Sequence, residues 1–353
     1  MYKLALFSLL FLVLSSCDKN QPTPKSTVNF SKGVIIINEG NFMHSNGDFT
    51  YYNPTSDTTV NNIFALNNNN LPAGDVIQSF AAQDSIGIFT ANNSKTLTFV
   101  NLKTFELLHQ ITGLSYPRYI KTDANTAFLT NGKAPGQLLK INIETMQISD
   151  SVELGAQPEN LIISKDYLIC CNGAWGNDST ISIINKSDFS LSQHLVVGQG
   201  TTDITVDNNG NYWVLCQGRV EYDDNWNIVN QTPSELVVLD KTDFSEIYRT
   251  ETGTTADDFY PTRLSGSATA DFICYAEHDG IYKINTYPPY EPEKIINGSY
   301  YGLEIEPSTG NIYTFSANGF QTTGNFSIFD SAGTRLKHET EAGIGPNGAV
   351  FPE

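Results

Sequence analysis

Short apolar runs alternate with polar loops along most of the chain, and the stretch Gly33 to Pro54 shows this pattern clearly. The β-branched run Val34 to Ile37 ends at Asn38 and leads into a loop rich in Gly and Asn. A second apolar run, Phe49 to Tyr52, ends in a turn. β-Branched and aromatic residues favour strands, whereas Gly, Asn and Pro favour turns. The stretch therefore predicts two antiparallel strands joined by a long, exposed loop.

The same unit recurs along the chain, and two kinds of turn mark its period. A turn opened by Asn or Asp follows the third strand of each unit, with steps of 48, 41, 43, 55, 45 and 45 residues between Asn53, Asn101, Asn142, Asn185, Asp240, Asn285 and Asp330. A loop that often contains Pro opens each unit, at 74–76, 116–118, 157–159, 201–203, 260–262, 300–302 and 345–347. The two series interleave. A period of about 40–50 residues with four short β-runs is typical of a propeller blade.

The repeats predict an all-β fold, a seven-bladed β-propeller over residues 33–353. The chain begins at Val34 in what is elsewhere the second strand of a unit, and residues 345–351 correspond to a first strand. We therefore expect the C-terminal strand to join the N-terminal blade and close the ring, which removes exposed sheet edges. The long 55-residue step contains an insertion, Gly218 to Pro233, which we assign to a loop of the fifth blade.

Composition supports this fold and narrows the function. Of the 353 residues, 16% are charged and 40% hydrophobic, and there are 27 Gly, 17 Tyr and 20 Phe, which suits many short strands and tight turns. The formal net charge is −18, from 20 Lys and Arg against 38 Asp and Glu. Such a surface repels phosphate backbones, so we expect no nucleic-acid partner. An anionic ligand would need a local basic pocket.

Residues 1–17 have the features of a targeting segment. Lys3 precedes an apolar run, Leu4 to Leu14, that is too short to span a bilayer. The sequence Leu14-Ser15-Ser16-Cys17 resembles the bacterial lipobox, and this resemblance implies a lipid on Cys17 that anchors the mature protein to a membrane. An ordinary cleaved signal with an incidental Cys is the alternative. Residues 18–32 are polar and contain Pro, and they predict a flexible tether.

The other cysteines, Cys170, Cys171, Cys216 and Cys274, all fall in apolar runs. Adjacent Cys170 and Cys171 point to opposite faces of a strand, and no C-x-x-C spacing suggests a metal site. We expect buried free thiols. A disulfide between blades in an oxidising compartment is the alternative.

Two classes of connection emerge at the same end of a propeller with this strand order: from a fourth strand to the next blade's first strand, and from a second strand to a third. We call this end the loop face and the opposite end the turn face. Amides end the second strand of five successive units, at Asn38, Asn92, Asn131, Asn172 and Gln217. Arranged around an axis, they could hydrogen-bond a polar ligand. The alternative is a structural role, because Asn tolerates left-handed backbone and often closes strands.

Aromatic and charged residues complete the predicted ligand-binding set. Loop aromatics suit a large, flat, partly apolar ligand, although packing beneath the insertion would also explain them. The predicted ligand-binding residues are Asn38, Asn41, Phe42, Asn92, Tyr116, Arg118, Asn131, Asn172, Trp175, Gln217, Tyr260, Arg263, Tyr300 and Tyr301.

The sequence gives little support for catalysis. The five His residues are scattered, and His109 and His194 fall in outer-strand regions. Zincin, nucleophile-elbow and P-loop motifs do not occur. Carboxylates of the loop face, such as Asp75, Glu159 and Asp203, are of the type that serves acid–base chemistry, but no motif fixes their separations. We expect no catalytic residue, no metal and no cofactor.

The repeats resemble bacterial YVTN-type propellers over residues 33–353. Four segments, INEGNFMHSNGDFTYYNP, LSYPRYIK, YYGLEIEPSTGNIY and IGPNGAVF, are similar to Bacteroidetes surface lipoproteins of the BtuG type, which are encoded beside TonB-dependent uptake systems. That resemblance implies a lipid-anchored outer-membrane protein at the cell surface. It would capture cobalamin, another corrinoid or another small nutrient and deliver it to a TonB-dependent transporter. The alternative is a surface propeller that binds a protein or glycan partner without catalysis.

Overall fold

The computed structural model describes residues 28–252, 263–267 and 269–352. In this part of the chain, seven four-stranded antiparallel sheets form, together with one separate two-stranded sheet. The seven sheets are the blades of a β-propeller, as predicted. Each inner strand contacts the inner strand of the next blade, and the contacts continue around the full ring.

The blades follow one another in chain order. Blades 1 and 2 contain β1 (Val34–Asn38), β2 (Asp48–Asn53), β3 (Thr58–Val60), the short helix α1 (Ile63–Asn67), β4 (Ile77–Gln83), β5 (Ile86–Ala91), β6 (Thr96–Asn101) and β7 (Leu107–Thr112). Blades 3 and 4 contain β8 (Ile120–Asp123), β9 (Thr126–Gly132), β10 (Gly136–Asn142), β11 (Gln147–Leu154), β12 (Pro158–Ile163), β13 (Tyr167–Asn172), β14 (Thr180–Asn185) and β15 (Ser190–Val196). A 3₁₀ turn, Ala174–Gly176, lies between β13 and β14.

The second half of the chain continues this order. Blade 5 and its inserted hairpin contain β16 (Thr201–Val206), β17 (Tyr212–Cys216), β18 (Arg219–Tyr222), β19 (Ile228–Thr232), β20 (Ser234–Leu239) and β21 (Glu246–Thr252). Blades 6 and 7 contain β22 (Leu264–Gly266), β23 (Phe272–Glu277), β24 (Gly280–Asn285), β25 (Glu293–Asn297), β26 (Gly302–Ile305), β27 (Ile312–Ser316), a 3₁₀ turn (Asn318–Phe320), β28 (Thr323–Phe329) and β29 (Arg335–Ile344). The last strand is β30 (Pro346–Val350). Within the described ranges, no helix is long and apolar enough to cross a bilayer.

The ring closes between the two ends of the propeller chain. Strand β30 pairs antiparallel with β1, with Ile35 opposite Val350 and Ile36 opposite Ala349. Strand β30 is the inner strand of blade 1, so the C-terminal strand completes a sheet begun by the N-terminal strands. The predicted closure is confirmed, and it follows from the repeat phase because the N-terminal unit lacks a first strand of its own.

Packing between neighbouring blades forms the core. Alternate residues of a strand point to opposite faces of its sheet, so each blade presents apolar side chains to both neighbours. Between blades 1 and 2, the ring centroid of Phe49 lies 5.4 Å from that of Phe80, 4.9 Å from that of Phe89 and 5.3 Å from that of Phe105, in edge-to-face contacts. Such contacts between buried aromatic rings stabilise the blade interface beyond their area burial.

The side chain of Phe30 is fully buried in the same interface, although the sequence places this residue in the tether of residues 18–32. Its ring centroid lies 5.2 Å from that of Tyr51 and 5.7 Å from that of Phe105. Its backbone N–H donates to the carbonyl oxygen of Lys103 at 3.1 Å. Lys103 belongs to the turn between β6 and β7, so the chain enters the propeller at the turn face.

The predicted turns at Asn53, Asn101, Asp240 and Asp330 share a geometry in which the first side chain accepts from backbone N–H groups. In blade 2 the Asn101 side-chain oxygen accepts hydrogen bonds from the backbone N–H of Lys103 at 2.9 Å and of Thr104 at 3.2 Å. The turn ends at Phe105 with φ +58°, a left-handed conformation that is unusual for a bulky residue. Burial of the Phe105 ring holds the backbone there. The turn residue therefore also joins neighbouring blades.

The insertion in blade 5 forms a separate hairpin, with β18 paired to β19. Three glycines with positive φ, Gly176, Gly200 and Gly218, meet at its base. A Cβ at Gly176 would lie 2.6 Å from the Gly218 carbonyl oxygen, and a Cβ at Gly200 would lie 2.7 Å from the same atom. The backbones approach so closely that no side chain fits. This contact fixes the hairpin beside the 3₁₀ turn of blade 4.

The four cysteines within the described ranges are free and buried, as expected. Cys170 and Cys171 belong to different apolar clusters, because they point to opposite faces of β13. Burial raises the pKa of all four thiols well above the usual value. These thiols are therefore protonated core residues.

Candidate functional site

A cluster of polar side chains lies where the loop-face ends of the inner strands converge on the axis. All seven blades contribute to it, because each inner strand starts at the loop face. We call it the axial cluster, and its members are Glu39, Gln78, Arg118, Tyr119, Glu159, Asn160, Asp203, Arg263, Tyr301 and Asn347.

Arg118 links three inner strands of the ring. Its Nε donates to Glu159 Oε2 at 2.9 Å and its Nη1 donates to Gln78 Oε1 at 2.6 Å, while Nη2 also contacts Glu159. Burial disfavours the guanidinium charge, but Glu159 together with Tyr119 and Tyr116 keeps the pKa of Arg118 above its usual value. The guanidinium is therefore an engaged, permanently charged link between blades 2, 3 and 4.

The carboxylate of Glu39 is held on the other side of the axis. Its Oε1 accepts from the Tyr301 hydroxyl at 3.0 Å and from Asn347 Nδ2 at 2.7 Å. Burial raises the pKa of Glu39, although the hydrogen bond from Asn347 opposes the shift. The contact joins blade 1 to blade 7 and to the closing strand β30.

Asp203 and Arg263 occupy neighbouring blades. Asp203 Oδ1 accepts from Asn160 Nδ2 at 2.5 Å, and its Oδ2 accepts from the backbone N–H of Leu264 at 2.9 Å. Arg263 Nη1 donates to the Tyr119 hydroxyl at 2.6 Å. Burial opposes the charge of Arg263, yet the polar groups around it, Tyr119 first, raise its pKa above the usual value. Asp203 is thus satisfied within the protein, while Arg263 bonds to one side chain, Tyr119, among the residues that the structure describes.

A cavity of about 460 Å³ extends along the axis beneath the axial cluster. Gln78, Asp203 and Asn347 line its loop-face end and are buried, whereas Lys121 and Phe351 line the part toward the turn face and are more exposed. We call this space the axial cavity. Because its loop-face lining is buried and its turn-face lining includes exposed Lys121 and Pro307, we infer that it opens at the turn face.

Three large aromatic side chains stand exposed in second-to-third strand loops of the loop face. Phe42 of blade 1 is 62% exposed, Trp175 of blade 4 is 66% exposed, and Trp226 at the tip of the blade 5 hairpin is 82% exposed. Trp175 also has φ +54°, which is rare for a bulky residue. Strained, exposed aromatics of this kind are typical of recognition surfaces.

A recess of about 420 Å³ lies beside Phe42 and reaches the axial cluster at Glu39. We call it the rim recess, and its other lining residues include Asn41, His44 and Phe320. The Asn41 amide donates to the Phe320 carbonyl and accepts from Asn46 at 2.7 Å. The recess therefore combines an apolar wall with fixed polar groups, as small-molecule sites do.

The Asn residues that end the second strands are buried and bonded within the protein. Asn38 Nδ2 donates to Thr50 at 3.1 Å, and Asn92 Nδ2 donates to the Pro117 carbonyl at 2.9 Å. The remaining members of the series are also engaged: Asn131 accepts from the Tyr116 N–H at 3.0 Å, Asn172 donates to Thr180 and Ser182 at 2.9 Å each, and half-buried Gln217 accepts from Thr202 at 3.4 Å. These contacts give the amides a structural role, and ligand binding by them stays a prediction.

The other predicted site residues lie in different surroundings. Arg118 and Arg263 meet in the axial cluster with Tyr301, whereas Tyr300 packs in the core with its hydroxyl on the Asn297 carbonyl at 3.0 Å. Tyr116 is half-buried, with Arg118 Cζ 5.6 Å from its ring centroid. Tyr260 lies outside the described residues.

The predicted ligand-binding set includes three of the ten axial-cluster residues, Arg118, Arg263 and Tyr301. Glu39, Glu159, Asp203 and Asn347 were expected on the loop face but not in that set, and Gln78, Tyr119 and Asn160 were missed altogether. A signal for part of the cluster is present, because Arg118, Glu159 and Asp203 occupy the third position of successive loop markers. The start of each inner strand points to the axis, so this position identifies axial residues. No comparable pattern marks Tyr119 or Asn160, because they depend on strand register.

Comparison with known proteins supports the fold. No protein-family model matches the sequence, and a search of curated proteins gives no significant match. Among solved structures, a quinonprotein alcohol dehydrogenase-like protein from Bacteroides thetaiotaomicron superposes with a TM-score of 0.69 at 13% identity, over 93% of this chain and 80% of that one. Kuenenia stuttgartiensis hydrazine synthase gives 0.64 at 11% identity, over 77% and 88% of the two chains.

A computationally designed protein, Ika8, also superposes, with a TM-score of 0.58 at 10% identity over 94% of this chain and 95% of that one. All three similarities are far below the identity at which activity is shared, and they show the propeller fold alone. The fold is consistent with a binding or interaction protein.

Proposed function

We propose that this protein is a lipid-anchored binding protein of the outer membrane that captures a nutrient at the cell surface. The proposed ligand is a corrinoid, with cobalamin as its main representative, and the proposed recipient is a TonB-dependent transporter. The role is binding without catalysis. The observation that carries the proposal is the loop face, where exposed Phe42 lines a recess that reaches the polar axial cluster, and where Trp175 and Trp226 of blades 4 and 5 are also exposed.

The chemistry of the loop face suits such a ligand. A corrinoid is a large flat macrocycle with amide arms, so it needs apolar contact area and hydrogen-bond partners together. Exposed aromatic rings supply apolar area at low conformational cost, because they have only two side-chain torsions. The polar wall of the rim recess, which includes Glu39 and Asn41, supplies donors and acceptors beside the exposed ring of Phe42.

The sequence supports the proposed location. The lipobox-like segment ending at Cys17 and the polar residues that follow it fit a lipid anchor on a tether. The net charge of −18 disfavours nucleic acid and anionic partners at long range. A corrinoid without a large net charge is compatible with this surface.

The decisive experiment is isothermal titration of the purified protein with cyanocobalamin, followed by retention of the red ligand on the immobilised protein. We expect saturable binding of one equivalent. Absence of both heat and retained colour would remove the corrinoid proposal and leave the fold intact. In that case, binding to outer-membrane extract proteins or to a glycan array would test the alternative, a propeller that engages a protein or glycan.

A further inference from the structure

The axial cavity has a hydrogen-bonding imbalance that the proposed function leaves unexplained. Its volume of about 460 Å³ is within the range of small-molecule sites. Its wall carries the carboxylates of Asp203 and Glu304 and the cations of Arg263 and Lys121. The cavity is open at the turn face, at the other end of the axis from the rim recess.

The Asp203 carboxylate is already occupied. Both of its oxygens accept hydrogen bonds, from Asn160, Ile204 and Leu264, at 2.5–2.9 Å. Glu304 accepts from Ser265 at 3.3 Å. Burial raises the pKa of Glu304 to about 7, although Lys121 opposes the shift. Neither carboxyl offers a strong, free site for a cation.

The cations of the wall have the opposite character. The Arg263 guanidinium carries five N–H groups, and among the described residues its one hydrogen-bond partner is the Tyr119 hydroxyl. Lys121 makes no hydrogen bond or ion pair with the residues that the structure describes, and it is exposed to the cavity. Glu304, Arg263 and Lys121 all line this cavity, and both cations oppose the raised pKa of Glu304.

We propose that the axial cavity binds a small carboxylate that enters from the turn face and pairs with Arg263 and Lys121. The planar guanidinium fork matches a carboxylate, which can accept two parallel hydrogen bonds. A cationic ligand would meet two like charges, and a neutral amide would form weaker hydrogen bonds with the two cations than a carboxylate does. Within the cavity, the two nearby cations attract a carboxylate at short range, although the negative net charge of the protein disfavours anions at long range. The carboxylate of Glu304 interacts with the same two cations, so it competes with the ligand carboxylate for them.

The test uses three small probes of matched size: acetate, acetamide and methylammonium. Titration of the purified protein, followed by NMR line broadening of each probe, should show acetate binding at least about tenfold tighter than acetamide, since charge-assisted hydrogen bonds are the stronger ones. Methylammonium should not bind. Equal affinity for acetate and acetamide, or no acetate binding, would overturn the proposal.

Variants locate the site. Arg263→Gln and Lys121→Gln should each weaken acetate binding about tenfold or more, whereas Lys133→Gln, a loop-face cation beside Tyr116, should not. Glu304→Gln should tighten acetate binding because the competing carboxylate is removed. A gain of affinity cannot arise from misfolding, so this variant keeps the test valid if Arg263→Gln unfolds.

Unchanged binding in both Lys121→Gln and Glu304→Gln would refute the assignment. Because no corrinoid is used, the result is independent of the proposed function.

Discussion

The side-chain amide of Asn347, on the last strand of the chain, donates to Glu39 Oε1 at 2.7 Å. Glu39 directly follows the first strand, so this hydrogen bond joins residues 308 positions apart. Both side chains are buried, and the Tyr301 hydroxyl donates to the same oxygen. One carboxylate thus ties together the closing strand, blade 1 and blade 7. A buried carboxylate needs such donors, because an unpaired buried charge is costly.

Replacing Asn347 with Ala should destabilise the protein by about 1–3 kcal/mol, because it leaves Glu39 buried with one donor fewer. Chemical denaturation measures the loss. Asn297→Ala on the exposed outer strand β25 is the matched control and should change stability by less than about 0.5 kcal/mol. Equal effects of the two substitutions would show that the contact to Glu39 contributes nothing.

Truncation after Gly343 removes β30 and should lower the melting temperature substantially. Blade 1 would keep three strands, and β1 would lose its inner partner along Ile35 to Asn38. An unpaired inner edge exposes backbone donors and acceptors and opens the ring. A thermal melt followed by circular dichroism measures the effect, and a melt that matches the intact chain would contradict the closure by β30.

Stability should fall as the pH rises from about 5 to about 7, and Glu277 should account for part of the loss. This side chain is 3% exposed, and its Oε1 has no hydrogen-bond partner within the described part of the chain. Burial, with the nearby Asp279 charge, raises the pKa of Glu277 from 4.5 to about 7. The folded state therefore holds the proton more tightly than the unfolded state, and stability is lost as the carboxyl ionises.

Glu277→Gln removes this ionisation. The free energy of unfolding should then fall by on the order of 2–3 kcal/mol less between pH 5 and pH 8 than it does in the wild type. Asp48, with its pKa raised by burial to about 6, and Glu304 act in the same direction and remain in the variant. The exposed Glu339→Gln is the control and should leave the profile unchanged. Parallel profiles for wild type and Glu277→Gln would contradict the assignment.

Phe42→Ala should weaken cyanocobalamin binding about tenfold while the melting temperature stays unchanged, because the ring is 62% exposed and its loss removes contact area from the ligand alone. Titration and a thermal melt are measured on the same sample. Val196→Ala, at an apolar position 72% exposed on the outer strand of blade 4, is the control for nonspecific effects. If the melting temperature falls along with the affinity, the loop that contains Phe42 has a structural role and the prediction is wrong.

The fold could be predicted because its repeats carry local chemistry. Asn101 fixes its turn through side-chain hydrogen bonds to backbone N–H groups, and that requirement is visible as a residue type at a regular spacing. Ring closure was predictable for a similar reason, since the phase of the first unit shows that a strand is missing. The burial of Phe30 was not, because it depends on a gap between two blades that no local pattern describes.

The site was predictable in part. Loop aromatics such as Phe42 and Trp175 are exposed on the loop face as expected. The amide series was harder to interpret, because an Asn at the end of a second strand can point to the axis or into its own sheet. In the structure Asn172 bonds to Thr180 and Ser182 of the adjacent strand. Hydroxyl partners on the adjacent strand hold the amide in its own blade, and the sequence period does not encode those partners.

The chain enters the propeller at the turn face, beside Phe30, and this entry point determines which face lies away from the N-terminal segment. Anything attached upstream of Val28 is attached on the turn-face side, so the loop face looks away from the attachment point. If Cys17 carries a lipid, the 11 residues from there to Val28 reach at most about 40 Å. A nutrient arriving from the medium would meet the aromatic rim first, while the axial cavity would open toward the membrane. Delivery to a transporter in the same membrane would then require the whole propeller to reorient on its N-terminal tether.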